Sequence, residues 1–164
     1  DGVPALIALD ADVEVSGQGG IRRLAVAEFI QGNRRTALQD GELVTAIYVP
    51  RRSSRAISSF LKLGARRYLI ISIAMVAVVV DINKSGAINH AGVAIGSCSE
   101  VAQRLNSLEE NMIGRWPEED LSALVTRDTL SPLSPIDDIR ADAAYRMDAA
   151  QRLVQRALAD LGTG

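Results

Sequence analysis

Apolar and polar positions alternate along the first fifty residues, in short segments separated by turn-forming residues. Because side chains two positions apart share a face of a strand, Ala5 to Val15 is predicted to form a half-buried strand. Ile21 to Val26 is predicted as its partner across a hairpin connection at Gly17–Gly20, and residues 27–31 as one helical turn. Another alternating segment, Glu42 to Val49, is predicted as a further strand.

A polar and basic segment, Arg51 to Arg55, follows Pro50 and has no apolar periodicity, so it is predicted to link residues 1–50 to residues 56–164. Three strand-like segments come next, at 56–63, 71–82 and 87–95. The sequence Asn83-Lys84-Ser85-Gly86 is typical of a hairpin turn between the last two. These segments predict a small antiparallel sheet of three strands.

The apolar spacing changes to three and four residues from Ser99 onward, which is typical of helices. Val101, Leu105 and Leu108 would share one helical face, and a second short helix is predicted around 121–125. The last helix is predicted from Tyr145 to Leu161. Strands followed by helices indicate an α+β fold.

The charge balance argues against nucleic acid as a partner. The chain has 18 Lys and Arg against 20 Asp and Glu, a net charge of −2, and basic residues that are spread along the sequence. A duplex-binding protein concentrates cations on one face. The longest apolar stretch, Leu69 to Val80, is too short to cross a bilayer as a helix, so no membrane span is predicted.

Candidate chemistry is sparse, because the chain has one histidine, His90, and one cysteine, Cys98. These two residues provide neither a Cys/His zinc cluster nor a nucleophile with its base, so no catalytic residue and no metal site are predicted. A single thiol that has no disulfide partner is typical of a reducing cytoplasm. The segment from Lys62 to Tyr68 places three cations around Gly64, which fits either an anionic ligand or solvated charge at a strand end.

That segment, continued from Phe60 to Ala77, resembles the start of the C-terminal domain in the FAD-binding subunit of molybdenum hydroxylases, the xanthine and carbon monoxide dehydrogenase group. Four further similarities follow the same order along the chain: Pro4 to Ala11, Arg34 to Thr36, Gly41 to Ile47, and Ser134 to Arg140 with Ala144 to Arg146. The resemblance therefore covers nearly the whole sequence.

The resemblance implies that residues 1–50 end an FAD-binding domain and that 56–164 form a C-terminal domain, with a three-stranded antiparallel sheet packed on a helical bundle. It implies an oxidoreductase subunit in which FAD receives electrons from [2Fe–2S] clusters of a small partner subunit. A large partner subunit would hold molybdopterin, and NAD or another molecule would accept the electrons.

The same resemblance implies three cofactor-binding residues. Asp1 matches an aspartate that contacts the ribityl region of the flavin, Leu43 an apolar residue near the isoalloxazine ring, and Lys62 a lysine that reaches the cofactor from the C-terminal domain. Tyr68 and Ile70 match a loop that approaches the flavin, although the acidic residue common in that loop is missing here.

The Gly-rich pyrophosphate loops of the family are absent from this sequence. We therefore expect the chain to be a fragment that binds FAD weakly by itself. One alternative is a stand-alone interaction or scaffold domain that does not bind FAD. Another is an unrelated α+β ligand-binding domain, in which Asp1, Leu43 and Lys62 would not line one cleft.

Overall fold

The computed structural model describes residues 1–66 and 71–162. Its helices are α1 (Gly2–Ala8), α2 (Val26–Phe29), α3 (Asn106–Met112) and α4 (Ala143–Leu161), with a 3₁₀ turn at Leu121–Leu124. Its strands are β1 (Asp12–Gly17), β2 (Gly20–Ala25), β3 (Ile30–Gly32), β4 (Arg35–Thr36), β5 (Leu43–Tyr48), β6 (Ile57–Gly64), β7 (Ser72–Ile82), β8 (Ile88–Gly96) and β9 (Gln103–Arg104). The predicted α+β class is confirmed.

The strands form two main antiparallel sheets. The first sheet has the order β2-β1-β5 and the second sheet the order β6-β7-β8-β9, while β3 and β4 pair separately. Both predicted hairpins are present, since Gly17 pairs with Gly20 and residues 83–87, which include the predicted turn, connect β7 to β8. In the second turn the Asn83 side-chain oxygen accepts hydrogen bonds from the backbone N–H of Ser85 at 2.9 Å and of Ala87 at 3.1 Å.

Strand β7 lies at the centre of the protein because both of its faces are covered. Alternate residues on one face pack with α3 and α4 in a core cluster: Ala74, Val76, Val78 and Val80. Ala77 and Val79, on the other face, pack with α1 and β1. A strand buried on both sides has no solvent face to carry polar residues, which explains its continuous apolar sequence.

The predicted strand from Ala5 to Val15 is wrong over its first half. Residues Gly2–Ala8 form α1, and only Asp12 onward forms β1. The buried positions of α1 are Pro4, Ile7 and Ala8, a spacing of three and four residues that identifies one helical face. In so short an apolar segment, packing against the second sheet decided between helix and strand.

The region after Ser99 also differs from the prediction, because helix begins only at Asn106. Gln103 and Arg104 form β9, which pairs with Ile95 and Ala94 and adds a short fourth strand to the second sheet. Leu105 and Leu108 are nevertheless both buried, as their shared apolar spacing predicted. Pairing to the edge of β8 thus overrode the local helical pattern.

The segment between β5 and β6 contains no regular helix or strand. Arg52 from this segment forms ion pairs with Asp10 and, at 3.8 Å, with Asp81 of β7, so the predicted linker lies against the second sheet. The domain boundary at 51–55 stays a prediction. Within the two described ranges, no helix is both long and apolar enough to cross a membrane.

Candidate functional site

Three polar side chains meet around the carboxylate of Asp1. The Lys62 ammonium donates to Oδ2 of Asp1, and the Ser72 hydroxyl donates to Oδ1 at 2.8 Å. We call these three residues the Asp1 cluster. Two of them, Asp1 and Lys62, are residues that the sequence singled out, and the structure brings them into direct contact.

Three separate elements build the Asp1 cluster. Asp1 lies directly before α1, which packs on β7 and β8. Lys62 lies on β6 opposite Met75, and Ser72 begins β7 opposite Gly64. The side chains of Asp1 and Lys62 are 49% and 28% exposed, whereas Ser72 is 3% exposed. The carboxylate therefore has one buried partner and one open side.

The open side of the Asp1 cluster suits hydroxyl groups of a ligand. An ionised carboxylate has about four acceptor positions, of which Lys62 and Ser72 occupy two. The remaining positions can accept hydrogen bonds from a polyol, and the ammonium of Lys62 provides positive charge beside it. This donor and acceptor set fits the ribityl chain of a flavin.

Leu43 lies apart from the Asp1 cluster. It begins β5 in the first sheet, opposite Ser16 of β1, and its side chain is among the most exposed apolar ones at 72%. No hydrogen bond or strand pairing among the described residues joins Leu43 to the Asp1 cluster. Tyr68 and Ile70, also singled out in the sequence, lie outside the described residues.

An apolar groove of about 270 Å³ lies between α1 and β6. Ala5 and Leu9 line one side, and Phe60, which is 47% exposed, lines the other. Lys62 follows Phe60 on the same face of β6, about 7 Å along the strand. The surface beside the Asp1 cluster can therefore accommodate an apolar group.

Sequence reasoning missed a second polar cluster, which is centred on Asp10. Its carboxylate accepts hydrogen bonds from Arg104 and Arg52, and His90 Nε2 lies 3.1 Å from Oδ2. Partial burial raises the pKa of Asp10, but the hydrogen bonds from the two arginines outweigh this and hold it below its ordinary value. Arg104 also pairs with Glu109 of α3 at 2.7 Å.

The Asp10 cluster joins the end of α1 to the second sheet. Asp10 has a φ of 55°, a left-handed conformation that aspartate and asparagine adopt more readily than most residues. That preference, directly after an apolar segment, is the one signal in the sequence that pointed to Asp10. His90 lies opposite Asp81 on the neighbouring strand, so its contacts fit a structural role.

The remaining candidate residues provide no reactive centre. Cys98 is fully buried, and this burial raises the pKa of its thiol to about 11. A thiol in that state is a poor nucleophile at neutral pH. Residues 1–66 and 71–162 contain no group of three or more His, Cys, Asp or Glu side chains that could hold a metal ion.

Comparisons with protein families match both parts of the chain. Residues 59–161 match the CO dehydrogenase flavoprotein C-terminal domain, and residues 1–52 match the FAD binding domain in molybdopterin dehydrogenase. Lys62 and Ser72 thus lie in the segment that matches the C-terminal domain, and Asp1 lies in the segment that matches the FAD binding domain. The ion pair between Asp1 and Lys62 joins the two matched segments.

Individual proteins show the same similarity. The chain is 26% identical to the nicotinate dehydrogenase FAD-subunit of Eubacterium barkeri, over 98% of this chain and 55% of that protein. It is 27% identical to the carbon monoxide dehydrogenase medium chain of Hydrogenophaga pseudoflava, over 94% of this chain and 54% of that protein. The chain therefore spans about half the length of these curated relatives.

Solved structures show the same fold. A chain of carbon monoxide dehydrogenase from Hydrogenophaga pseudoflava, in a form that lacks the Mo-pyranopterin moiety of its cofactor, superposes with a TM-score of 0.86 and 26% identity. That superposition covers 96% of this chain and 54% of the other. Quinoline 2-oxidoreductase from Pseudomonas putida 86 shares the fold with a TM-score of 0.83 at 19% identity, over 100% of this chain and 56% of that one.

Proposed function

The chain belongs to the family of the CO dehydrogenase flavoprotein C-terminal domain, and on that premise we propose that it forms the C-terminal part of the FAD-binding subunit of a molybdenum-containing hydroxylase or dehydrogenase. The observation that carries this proposal is the Asp1–Lys62 pair. It unites one residue from each matched segment in a half-exposed site with free acceptor positions.

Each predicted residue has a distinct task in this proposal. The carboxylate of Asp1 accepts hydrogen bonds from ribityl hydroxyls, and Lys62 orients that carboxylate while adding positive charge near the ring. Leu43 offers an exposed apolar side chain to the ring from the first sheet. The flavin, when bound, supplies electron transfer in steps of one or two electrons.

We propose partners by the same reasoning. The relatives are FAD-subunits or medium chains, names that imply companion subunits. In the proposed complex, a small subunit with [2Fe–2S] clusters delivers electrons, a large subunit with molybdopterin oxidises the substrate, and NAD or another molecule accepts the electrons. A cytoplasmic location fits the single buried thiol.

A second candidate is a scaffold or interaction domain that keeps the fold but does not bind FAD. The observation that favours it is the Gly17–Gly20 connection, which is an ordinary hairpin turn between β1 and β2 rather than a phosphate-binding loop. Residues that bind the pyrophosphate of FAD would therefore have to come from outside this chain.

A titration with FAD separates the two candidates. The full-length product of the gene that encodes this chain is purified without cofactor and titrated while the visible spectrum and flavin fluorescence are recorded. We expect saturable binding, and we expect Lys62→Met to weaken it about tenfold because an ion pair and a charge near the ligand are lost.

Lys84→Met provides the matched control, since Lys84 is exposed in the turn between β7 and β8. It should leave the affinity for FAD unchanged. A folded wild-type protein that does not bind FAD would favour the scaffold candidate. Equal effects of the two lysine substitutions would show that the Asp1 cluster is not the binding site.

A further inference from the structure

Ser72 completes the Asp1 cluster, although the sequence did not predict it as a site residue. We propose that Ser72 is a positioning residue of the cofactor site, which acts on the ligand through the carboxylate of Asp1. This inference rests on the proposed function and deepens it. It concerns how the acceptor atoms of Asp1 are aimed at the hydroxyls of a flavin.

The hydrogen bond from Ser72 lies where water has little access and so competes weakly for the hydroxyl. Ser72 is 3% exposed, and its Oγ donates to Oδ1 of Asp1 at 2.8 Å across 71 positions of sequence. A hydrogen bond to a charged acceptor is stronger than one between neutral groups, especially where water is excluded. The buried hydroxyl therefore holds one specific oxygen of the carboxylate.

Two fixed oxygens orient a carboxylate better than one. Lys62 holds Oδ2 through a long, flexible side chain, which by itself would let the carboxylate turn about its Cβ–Cγ bond. Ser72 holds Oδ1 through a short side chain whose backbone belongs to β7, an inner strand of the second sheet. The remaining acceptor positions of Asp1 are then aimed in one direction before a ligand arrives, which reduces the entropy lost on binding.

A bulge in β7 explains how Ser72 reaches this carboxylate. Lys62 pairs with Met75 and Leu63 with Ala74, but Gly64 pairs with Ser72, so Ile73 is an extra residue. Regular alternation would place Ser72 on the same face as Ala74, opposite to the face of Lys62 and Met75. The bulge re-aims Ser72 towards the carboxylate that Lys62 also contacts, a use of bulges that recurs beside functional sites.

The bulge is itself held in place from α4. The carbonyl of the extra residue Ile73 accepts a hydrogen bond from Nη1 of Arg146 at 2.6 Å. The same atom of Arg146 donates to the carbonyl of Ser97 at 3.0 Å, just after β8 ends. The orientation of Ser72 is thus built into the packing of α4 on the second sheet.

A double-mutant cycle tests the inference in the full-length gene product. The affinity for FAD is measured by fluorescence for the wild type, Ser72→Ala, Asp1→Ala and the double variant. We expect Ser72→Ala to weaken binding about tenfold in the wild type, because the carboxylate loses its fixed orientation. In the Asp1→Ala background, where Ser72 has no acceptor to hold, the same substitution should change the affinity by less than about twofold.

Ser107→Ala, on the exposed side of α3, is the matched control and should leave FAD affinity unchanged. Urea titration verifies that each variant is folded. If Ser72→Ala is unfolded, Ser72→Cys takes its place, because a thiol is similar in size but a much weaker donor, and it should weaken FAD binding only when Asp1 is present.

Independent, multiplicative effects of the two substitutions would overturn the inference, since they would mean that Ser72 does not act through Asp1. Unchanged affinity in Ser72→Ala would overturn it as well, while leaving the proposed function intact. A folded wild type that binds no FAD would instead remove the proposed function and this inference together.

Discussion

Glu42 is held by three donors directly before β5 begins. Arg22 donates to it through Nε at 2.8 Å and Nη2 at 2.7 Å, and the backbone N–H of Gln39 donates at 2.7 Å. The hydrogen bonds from Arg22, followed by that from Gln39, lower the pKa of Glu42 to about 2. This paired arrangement ties β2 to the start of the edge strand that carries Leu43.

The depressed pKa of Glu42 predicts a pH dependence of stability. Because the folded-state pKa is about 2 against an ordinary value of 4.5, the contribution of Glu42 is complete above pH 4.5. It is lost as the pH falls from 4.5 towards about 2. Glu42→Gln should lower the urea midpoint at pH 7 and flatten the acid decline in that range.

Urea unfolding of the wild type and of Glu42→Gln measures this effect at several pH values. A range from about 2.5 to about 7 covers the titration of carboxylates. Glu118→Gln, at an exposed position after α3, is the control and should retain the wild-type pH profile. An identical acid decline in Glu42→Gln would mean that other carboxylates account for it.

Arg146 is a charged side chain in a buried position of α4. It is 3% exposed, pairs with Asp138 at 2.8 Å, and donates to two backbone carbonyls at the ends of β7 and β8. The backbone N–H of Arg140, followed by Arg146, lowers the pKa of Asp138 far below its ordinary value. One side chain therefore joins α4, the second sheet and the segment before α4.

Replacing Arg146 by methionine should destabilise the protein by about 3 kcal/mol, because it leaves two buried carbonyls and Asp138 without their partner. Chemical denaturation gives the value. Arg152→Met is the control, since Arg152 forms an exposed pair with Asp148 one helical turn away and should cost less than about 0.5 kcal/mol. Similar losses in both variants would show that the buried contacts of Arg146 are weak.

At the scale of elements, α1 approaches β8 so closely that only glycine fits between them. A Cβ atom at Gly92 would lie 2.1 Å from the carbonyl oxygen of Ala8. The nearest atoms all belong to the backbone of Ala8, so they cannot turn aside as the end of a side chain could. The position of α1, and with it the position of Asp1, depends on this absence of a side chain.

Gly92→Ala should therefore push α1 away from the second sheet and destabilise the protein by about 3 kcal/mol. It should also weaken FAD binding in the full-length gene product, because Asp1 moves with the helix. Gly19→Ala is a matched control, since no atom lies within 4 Å of its added Cβ. Denaturant midpoints and FAD titrations of the two variants measure both effects.

At the scale of the whole molecule, one strand connects two core clusters. Helix α4 covers one face of β7, with α3 in the same core cluster, and α1 with β1 covers the other face. Since residues of both clusters alternate along the same strand, neither cluster can lose its packing without exposing β7. The described part of the chain is therefore expected to unfold as one cooperative unit.

Cys98 and Trp116 offer independent tests of this cooperativity. Cys98 is buried in the cluster with α4, and its raised thiol pKa, about 11, makes it unreactive until it is exposed. Trp116, the only tryptophan, lies against Gly86 in the turn between β7 and β8. Labelling of Cys98 by a disulfide reagent and the change in Trp116 fluorescence should follow the same urea transition. Labelling at lower urea would reveal local opening around α4.

Much of this architecture could be predicted from the sequence. Strand β7, the turn at 83–86 and helix α4 were identified because each depends on the apolar period or turn residues of its own segment. Asp142, three residues before the predicted start of the last helix, caps α4 by accepting a hydrogen bond from the backbone N–H of Tyr145 at 2.7 Å. The family resemblance selected Asp1 and Lys62, which the structure then brought into contact.

Four features could be identified only from the tertiary structure: α1, β9, the Asp10 cluster and the contact of Ser72 with Asp1. Each depends on partners far away in sequence: Ser72 meets Asp1 across 71 positions and Arg104 meets Asp10 across 94. The local sequence pattern predicts which side chains of an element are buried, because that depends on the period of the element itself. It does not predict which other element covers them. The bulge that aims Ser72 at Asp1 depends on how β6, β7 and α1 pack together, so only the tertiary structure shows it.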